Sequence, residues 1–373
     1  MDATLTKDSS LNVKNRLQEF FQKDVEELKA NLEALRNEID PQEEPLNAGH
    51  LQRIGELLLK SCDDCRRVEE DLAGQMDSIT PVQEAFRKEM APWFSQSWIA
   101  NRAQTKPTGF PGDCMMLATI YDEHVPTRGL GGYLDACLLT LPLGIAVKER
   151  MKTAQAFLTQ EISWREGDVR ILDIASGPCR EFLGWTDRAE ESRILLTCLD
   201  TDQEALGYVR ENVVPTASGI EQFRLERYNA LRTKSAQATE RNFGRFDVLY
   251  SVGLADYIPD EPLIAMLQGW RESVDEGGIV YVAFKDCRRY DKTPYQWHLD
   301  WHFLQRTEED CRRLLAAAGF DSATIEMERD ASDIIIHFFC PIGKPAFTRV
   351  DAAEPAVRAP RLRRTSVTGT PTL

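Results

Sequence analysis

The stretch Val169–Trp185, VRILDIASGPCREFLGW, decides the fold. It begins as a short apolar run, Val169, Ile171, Leu172 and Ile174, broken by Asp173. It then turns through Ala175, Ser176, Gly177 and Pro178, and a helical pattern restarts at Cys179. A strand that ends in a small-residue turn and feeds a helix gathers backbone N–H groups and a helix N-terminus around one point. A second apolar run, LLTCLDTD, ends at Asp200. A tight turn after one strand and an acid after the next is the pattern of a nucleoside-binding α/β domain.

Working outward, the pattern continues to alternate. Strands are expected at 170–174, 194–199, 223–228, 246–251 and 278–284, with helices at 179–188, 203–213, 231–240 and 261–274. This alternation predicts a doubly wound α/β sheet. A long aromatic insertion, KDCRRYDKTPYQWHLDWHFLQRT, follows the fifth strand. A helix from Thr307 to Ala318 then ends at Gly319, and two last strands, 323–329 and 333–340, form a hairpin around DASD.

The turn also selects the nucleoside. A dinucleotide fold wants GxGxxG there, so that the backbone can approach a pyrophosphate. The segment Ala175–Arg180 holds one glycine, Gly177, and no strand is followed by a phosphate-cradling GxxxxGK[ST]. A ligand with a ribose and no phosphate fits better, and S-adenosyl-L-methionine (SAM) is such a ligand. Asp200 would accept hydrogen bonds from its ribose hydroxyls.

Residues 169–340 resemble a class I SAM-dependent methyltransferase. The resemblance rests on ILDIASG, CLDTD, RYNAL, FDVLYSVGLADYIPD and GWRESVDEGGIVYVAFKD. It implies a Rossmann-like seven-stranded sheet with the last strand antiparallel and helices on both faces. It also implies that Asp173, Ala175, Ser176, Gly177, Asp200, Thr201, Asn229, Ala230 and Ser251 surround the cofactor. Ala175 and Cys179 stand where glycines are common in that family. A narrower resemblance covers residues 101–340. There KPTGFPGDCMMLATIYD, LGGYLDACLLTLPLGIAVKER and YQWHLDWHFLQRTEED are similar to a bacterial subfamily that includes 3-hydroxy fatty acid methyl ester synthases. It implies the carboxylate of an apolar acid as methyl acceptor. The alternatives are N- or C-methylation of a polar small molecule, and a catalytically silent interaction protein.

The chain before the sheet divides in two. Residues 1–100 read as amphipathic helices, about 11–39, 48–75 and one after Pro81, forming a cap or an oligomerisation element, with a homodimer through these helices as one expectation. Residues 101–160 read as a Gly-Pro loop and helices covering the cofactor site, 161–345 as the methyltransferase domain, and 346–373 as a disordered Pro-, Thr- and Arg-rich tail. In the 101–121 loop, Asp113 is expected either to cap a helix or to hold the methionine ammonium, with Arg102 or Lys106 on its carboxylate.

Composition bounds the rest. A net charge of −15 argues against nucleic acid as a partner, which leaves a small-molecule or protein substrate, with a small-molecule acceptor expected. No run reaches the roughly 18 apolar residues of a membrane span. Nine scattered cysteines and no signal-like start predict reduced thiols in the cytoplasm. Cys62 and Cys65 form a single CxxC inside a helical pattern, and no metal is expected there. For chemistry, a carboxylate acceptor needs no base, whereas a hydroxyl or protonated amine does. His298, Tyr121 and Tyr257 are the candidate catalytic residues. If WHLDWH is helical, His298 and His302 share a face. Tyr295, Trp297, Trp301 and Phe303 are expected to wall the acceptor pocket.

Overall fold

The computed structural model describes residues 15–72, 79–186 and 192–343; the expected tail at 346–373 lies outside them. The seven strands are β1 (Gly167–Ile174), β2 (Ser192–Asp200), β3 (Ile220–Arg227), β4 (Phe246–Val252), β5 (Val274–Lys285), β6 (Glu326–Arg329) and β7 (Ile335–Pro341). They form one sheet in the order β3-β2-β1-β4-β5-β7-β6. β7 runs antiparallel between β5 and β6, and the pairs among β1 to β5 are parallel. This is the expected Rossmann-like sheet. The order reverses between β1 and β4, which opens a crevice at the carboxyl ends of the strands.

Period-two alternation sends neighbouring residues to opposite faces. Ile171, Ile194, Val248 and Tyr281 face one buried cluster, and Leu172, Leu199, Leu249 and Val280 face another. Around the sheet lie α1 (Glu26–Glu38), α2 (Ala48–Asp71), α3 (Ile79–Phe94), α4 (Trp98–Thr105), α5 (Cys114–Tyr121), α6 (Gly129–Leu139) and α7 (Pro142–Ser163). Then follow α8 (Gln203–Tyr208), α9 (Ala236–Phe243), α10 (Asp260–Ser273) and α11 (Glu308–Ala317). α10 and α11 cover the second face through Leu263, Met266, Trp270, Leu314 and Leu315. α7 covers the first, with Phe157 against Tyr281 and Phe339 at centroid distances of 4.7 and 4.8 Å. No single helix is long and apolar enough to cross a membrane; α6 and α7 together meet the composition but are bent by 59°.

Two expectations need correction. The helix at 179–188 is reduced, among the described residues, to one 3₁₀ turn, Arg180–Phe182. Cys179 adopts a left-handed conformation (φ 48°, ψ 42°) and Gly184 another (φ 69°), and L-residues do not propagate a helix from there. The WHLDWH segment is likewise not a helix. A single π-helical turn over Pro294–His298 takes in only its first two residues, and Asp300 then takes φ 50°.

The N-terminal helices are continuous with the core rather than an appendage. Phe20, Leu32, Ile54, Cys65 and Phe86 belong to the same buried cluster as β1 and β4. Their contacts converge on the 286–306 insertion. Trp297 is fully buried between Phe20 and Phe86, and its Nε1 donates to Glu69 at 2.8 Å. Lys292 pairs with Glu69, Arg66 with Asp291, and Arg87 donates to the Gln296 carbonyl. The apolar face that suggested a dimer is therefore covered within the chain. Cys62 and Cys65 are buried thiols on α2, and burial pushes Cys62 up to about 12.

Candidate active site

The turn after β1 keeps its shape without its glycines. Ala175, Gly177 and Cys179 all adopt left-handed φ, at 59°, 50° and 48°. Asp200 at the end of β2 accepts the Gly177 N–H at 2.9 Å and the Asp202 N–H at 2.9 Å, which ties the two strand ends together. The left-handed form costs an L-residue roughly 1–2 kcal/mol, and glycine's extra chain entropy offsets roughly 0.5–1 of it. Ala175→Gly is therefore expected to stabilise the fold by about 0.5–1 kcal/mol, read as a higher urea midpoint at unchanged slope.

A cavity of about 320 Å³ opens at this turn. One end is lined by Ala175, Gly177, Asp200, Thr201, Asn229 and Ala230. The Asn229 side chain is partly engaged, accepting the Leu231 N–H at 2.9 Å. Asp173, Ser176 and Ser251 do not line it. Ser251 is fully buried and donates to the Ile174 carbonyl, pinning β4 to β1. Asp173 lies behind the turn with its Oδ2 unpartnered among the described residues. Burial, reinforced by Glu181, drives its carboxyl well above the usual range.

The other end of the cavity is apolar. Leu139, Leu143 and Val147 from α6 and α7 face Tyr295, Leu299, Trp301 and Phe303 of the insertion. The insertion is closed at its base, where Asp286 bridges Arg306 and the Cys287 N–H donates to the Arg306 carbonyl. It meets the 101–121 segment directly. Gln104 donates to the His298 carbonyl at 2.7 Å, Lys106 pairs with Asp300, and Gly112 lies so close to the Trp301 ring that a Cβ would sit 2.5 Å from it. Two irregular segments thus close one roof over the crevice.

Several predicted roles change in this arrangement. Asp113 lines the cavity but is saturated: it caps α5 through the Met116 N–H and receives Arg102 on both oxygens at 2.8 and 2.9 Å. Arg102 is turned to Asp113 and lies outside the cavity lining, and Lys106 is held by Asp300. His298 is not at the cavity either. It is buried between Phe86 and Phe94, with Nε2 2.9 Å from the Ser61 hydroxyl, while His302 is exposed beside Asp300. The irregular backbone separates the two rings, so they form no metal pair. Tyr121 also stays outside the cavity lining. Tyr257 does line it, but its hydroxyl accepts from Trp301 Nε1 at 2.7 Å and burial pushes the phenol upward, so it is protonated at neutral pH.

Burial lowers His298 to about 4 from 6.5. Between these values the unfolded chain holds a proton that the folded chain refuses. Its contribution to stability is complete above pH 6.5 and is lost as pH falls toward 4. His298→Gln should flatten that segment of the stability–pH curve in urea titrations.

The sequence reading missed three buried polar groups. Lys285 lines the cavity, with Nζ 2.6 Å from Asp256 and 4.2 Å from the Phe303 centroid. Arg150 lines it from α7. A signal for Arg150 exists in the sequence, since it interrupts the apolar stripe Leu143, Val147, Ala154, Phe157 at helical spacing.

No protein-family model matches the chain, and no curated protein matches its sequence. Solved structures do share its fold. A protein described as a possible exported protein from Bordetella parapertussis is 16% identical at TM-score 0.50, covering 62% of this chain and 80% of that one. Magnesium protoporphyrin IX methyltransferase (ChlM) from Synechocystis PCC 6803, solved with bound S-adenosylhomocysteine (SAH), is 10% identical at TM-score 0.44, over 65% and 96% of the two chains. The SAM-dependent methyltransferase SibL in its apo form is 15% identical at TM-score 0.43, over 87% and 97%. The likeness is one of fold.

The residues at the β1 and β2 end of the cavity fit a phosphate-free nucleoside. Asp200 presents a carboxylate beside a left-handed turn whose backbone is open to the cavity, and Asn229 and Ala230 border the same space. Among the described residues, three potential metal donors approach one another only at Asp173, Cys179 and Cys198, behind the turn. The hydrogen bond between the two thiols and burial hold Cys179 protonated.

Proposed function

We propose that this chain is a SAM-dependent methyltransferase that methylates a carboxylate oxygen on an apolar, fatty-acid-like small molecule. The observation that supports it is a single cavity. It joins an acid-bearing nucleoside end, at the termini of β1 and β2, to an apolar chamber roofed by Trp301, Phe303 and Tyr295.

When bound, SAM supplies an activated methyl group on a sulfonium, which is already a good leaving group. The chain has then to bind, align and exclude water. Asp200 orients the ribose, and the Ala175–Gly177 turn offers close backbone approach. The roof made by Gly112, Trp301 and Phe303 keeps water from the reacting atoms, and alignment of this kind supplies roughly 7–11 kcal/mol. Among the described residues the acceptor end offers no free base: Lys285 is tied to Asp256, Tyr257 is protonated, and both Asp113 oxygens are taken. A carboxylate acceptor needs none. Nine unpaired thiols accord with a reducing, cytoplasmic setting.

Calorimetry on the purified chain should show SAM binding in the micromolar range, and incubation with labelled SAM and dodecanoate should give a labelled, base-labile ester by mass spectrometry. Absence of SAM binding would reject the enzyme reading. Label in a base-stable product would move the reaction to N- or C-methylation.

A further inference from the structure

A charged side chain on the apolar stripe of α7 is the feature that the cofactor end leaves unexplained. Arg150 is 3% exposed and lines the cavity. No carboxylate among the described residues comes within ion-pair distance of it, and its Nε has no hydrogen-bond partner. The groups that face it are known. They are Tyr121, Tyr257, Tyr281, Lys285, Asp256 and Glu181, and none of the acids among them is in an ion pair with it. Asp256 is already held by Lys285, and Glu181 accepts from the Tyr250 hydroxyl. The guanidinium lies against Gly253 at the end of β4. A Cβ there would sit 2.8 Å from Nη1, and Gly253 also takes φ +114°, so both backbone and space reserve this position for glycine.

A buried guanidinium without a counter-ion costs several kcal/mol, and Lys285 in the same chamber has its acid. Resting on the methyltransferase reading, we infer that Arg150 is the anchor for a ligand carboxylate, that of the acceptor. Its planar fork suits a carboxylate. Its contact with Gly253, after β4, sets it on the β4–β5 side of the strand order, where Tyr257 and Lys285 also line the cavity, whereas Asp200 and Asn229 stand at the ends of β2 and β3. Tyr121 then acts through Arg150, as a positioning residue that fixes the guanidinium.

The step balances without a base. One carboxylate oxygen stays on the guanidinium while the other forms the O–CH₃ bond. The S–CH₃ pair returns to sulfur, and no proton moves. The ester has lost its negative charge, so the ion pair with Arg150 disappears as the product forms and its release is favoured. A free hydroxyl or amine would gain nothing from Arg150, which makes this residue a specificity determinant.

The methionine carboxylate of the cofactor has the same chemistry, and the experiment separates the two sources. Calorimetry would measure SAH, then dodecanoate, 2-naphthoate, methyl dodecanoate and dodecanol in saturating SAH, on wild type, Arg150→Gln and Arg150→Lys. The expected result is that wild type binds at least one of the two acids about 10-fold or more tighter than the ester or alcohol. Arg150→Gln should lose about 10-fold or more in acid affinity while SAH changes by less than about threefold. Arg150→Lys keeps the buried charge, so it guards against a fold defect; it should retain SAH and fall between the two. Equal binding of acids and neutral analogues by wild type, or no binding of either acid, overturns the inference. A selective loss of SAH in both variants overturns it too, assigning Arg150 to the cofactor. Failure of wild type to bind SAH removes the methyltransferase reading itself.

Discussion

Asp200→Ala is expected to lower SAM affinity about 10- to 100-fold. Hydrogen bonds to a charged group contribute roughly 1.5–3 kcal/mol each, and every 1.4 kcal/mol is tenfold in affinity. Two effects act together. The ribose loses its acceptor, and the Gly177 and Asp202 N–H groups, each 2.9 Å from the carboxylate, lose the tie that shapes the turn. Asp168→Ala, at the opposite end of the sheet beside Arg193, should leave affinity unchanged. Titration calorimetry reads both variants. An Asp200→Ala protein with wild-type affinity would move the nucleoside away from the β1–β2 crevice.

The second large effect concerns a residue that touches no ligand. Trp297→Ala should cost about 3–5 kcal/mol of stability, the usual range for removing a fully buried aromatic side chain. It empties the space between Phe20 and Phe86 and removes one donor from the Glu69 carboxylate, which keeps Lys292 and Gln83. Because Trp297 is the joint between the N-terminal helices and the insertion, the roof over the acceptor chamber should loosen with it. Acceptor turnover is therefore expected to fall much further than SAM affinity, since the nucleoside end is built on β1 and β2. Urea titration gives the stability loss, and calorimetry beside a turnover assay gives the split. Equal losses in both would show that the roof also shapes the cofactor end.

The interplay of these two parts explains what was legible in the amino-acid order. The sheet was legible because β1 and β2 are largely apolar runs, buried on both faces toward their carboxyl ends, and such runs announce parallel strands without any knowledge of their partners. The nucleoside end was legible for a related reason. Gly177, Asp200, Thr201, Asn229 and Ala230 sit at strand ends, and a strand end is a local feature of the chain. Ser251 misled because it lies at the same kind of end, yet its hydroxyl turns inward to the Ile174 carbonyl. The helix expected at 179–188 failed on one residue's backbone, the left-handed Cys179, which side-chain periodicity does not register.

The acceptor end was legible only in outline. The aromatic content of the insertion pointed to a roof, and Tyr295, Trp301 and Phe303 do line the chamber. Which histidine or arginine faces it was not readable. His298 lies three residues from Tyr295 and from Trp301, but the π-helical turn and the left-handed Asp300 rotate it into the N-terminal helices, where Ser61, 237 residues earlier, meets it. Arg102 and Asp113 looked like ligands because both are polar in a loop; they satisfy each other across 11 residues.

The sequence by itself therefore determined the sheet and its strand ends, because hydrophobic runs and strand-end turns are written within a few neighbouring residues. The tertiary structure alone decided that the helices between Glu26 and Phe94 support the roof, that His298 is packed away, and that Arg150 faces the chamber without a counter-ion among the described residues. Those facts depend on contacts between segments far apart in the chain, where the direction of one side chain is set by what other elements leave room for.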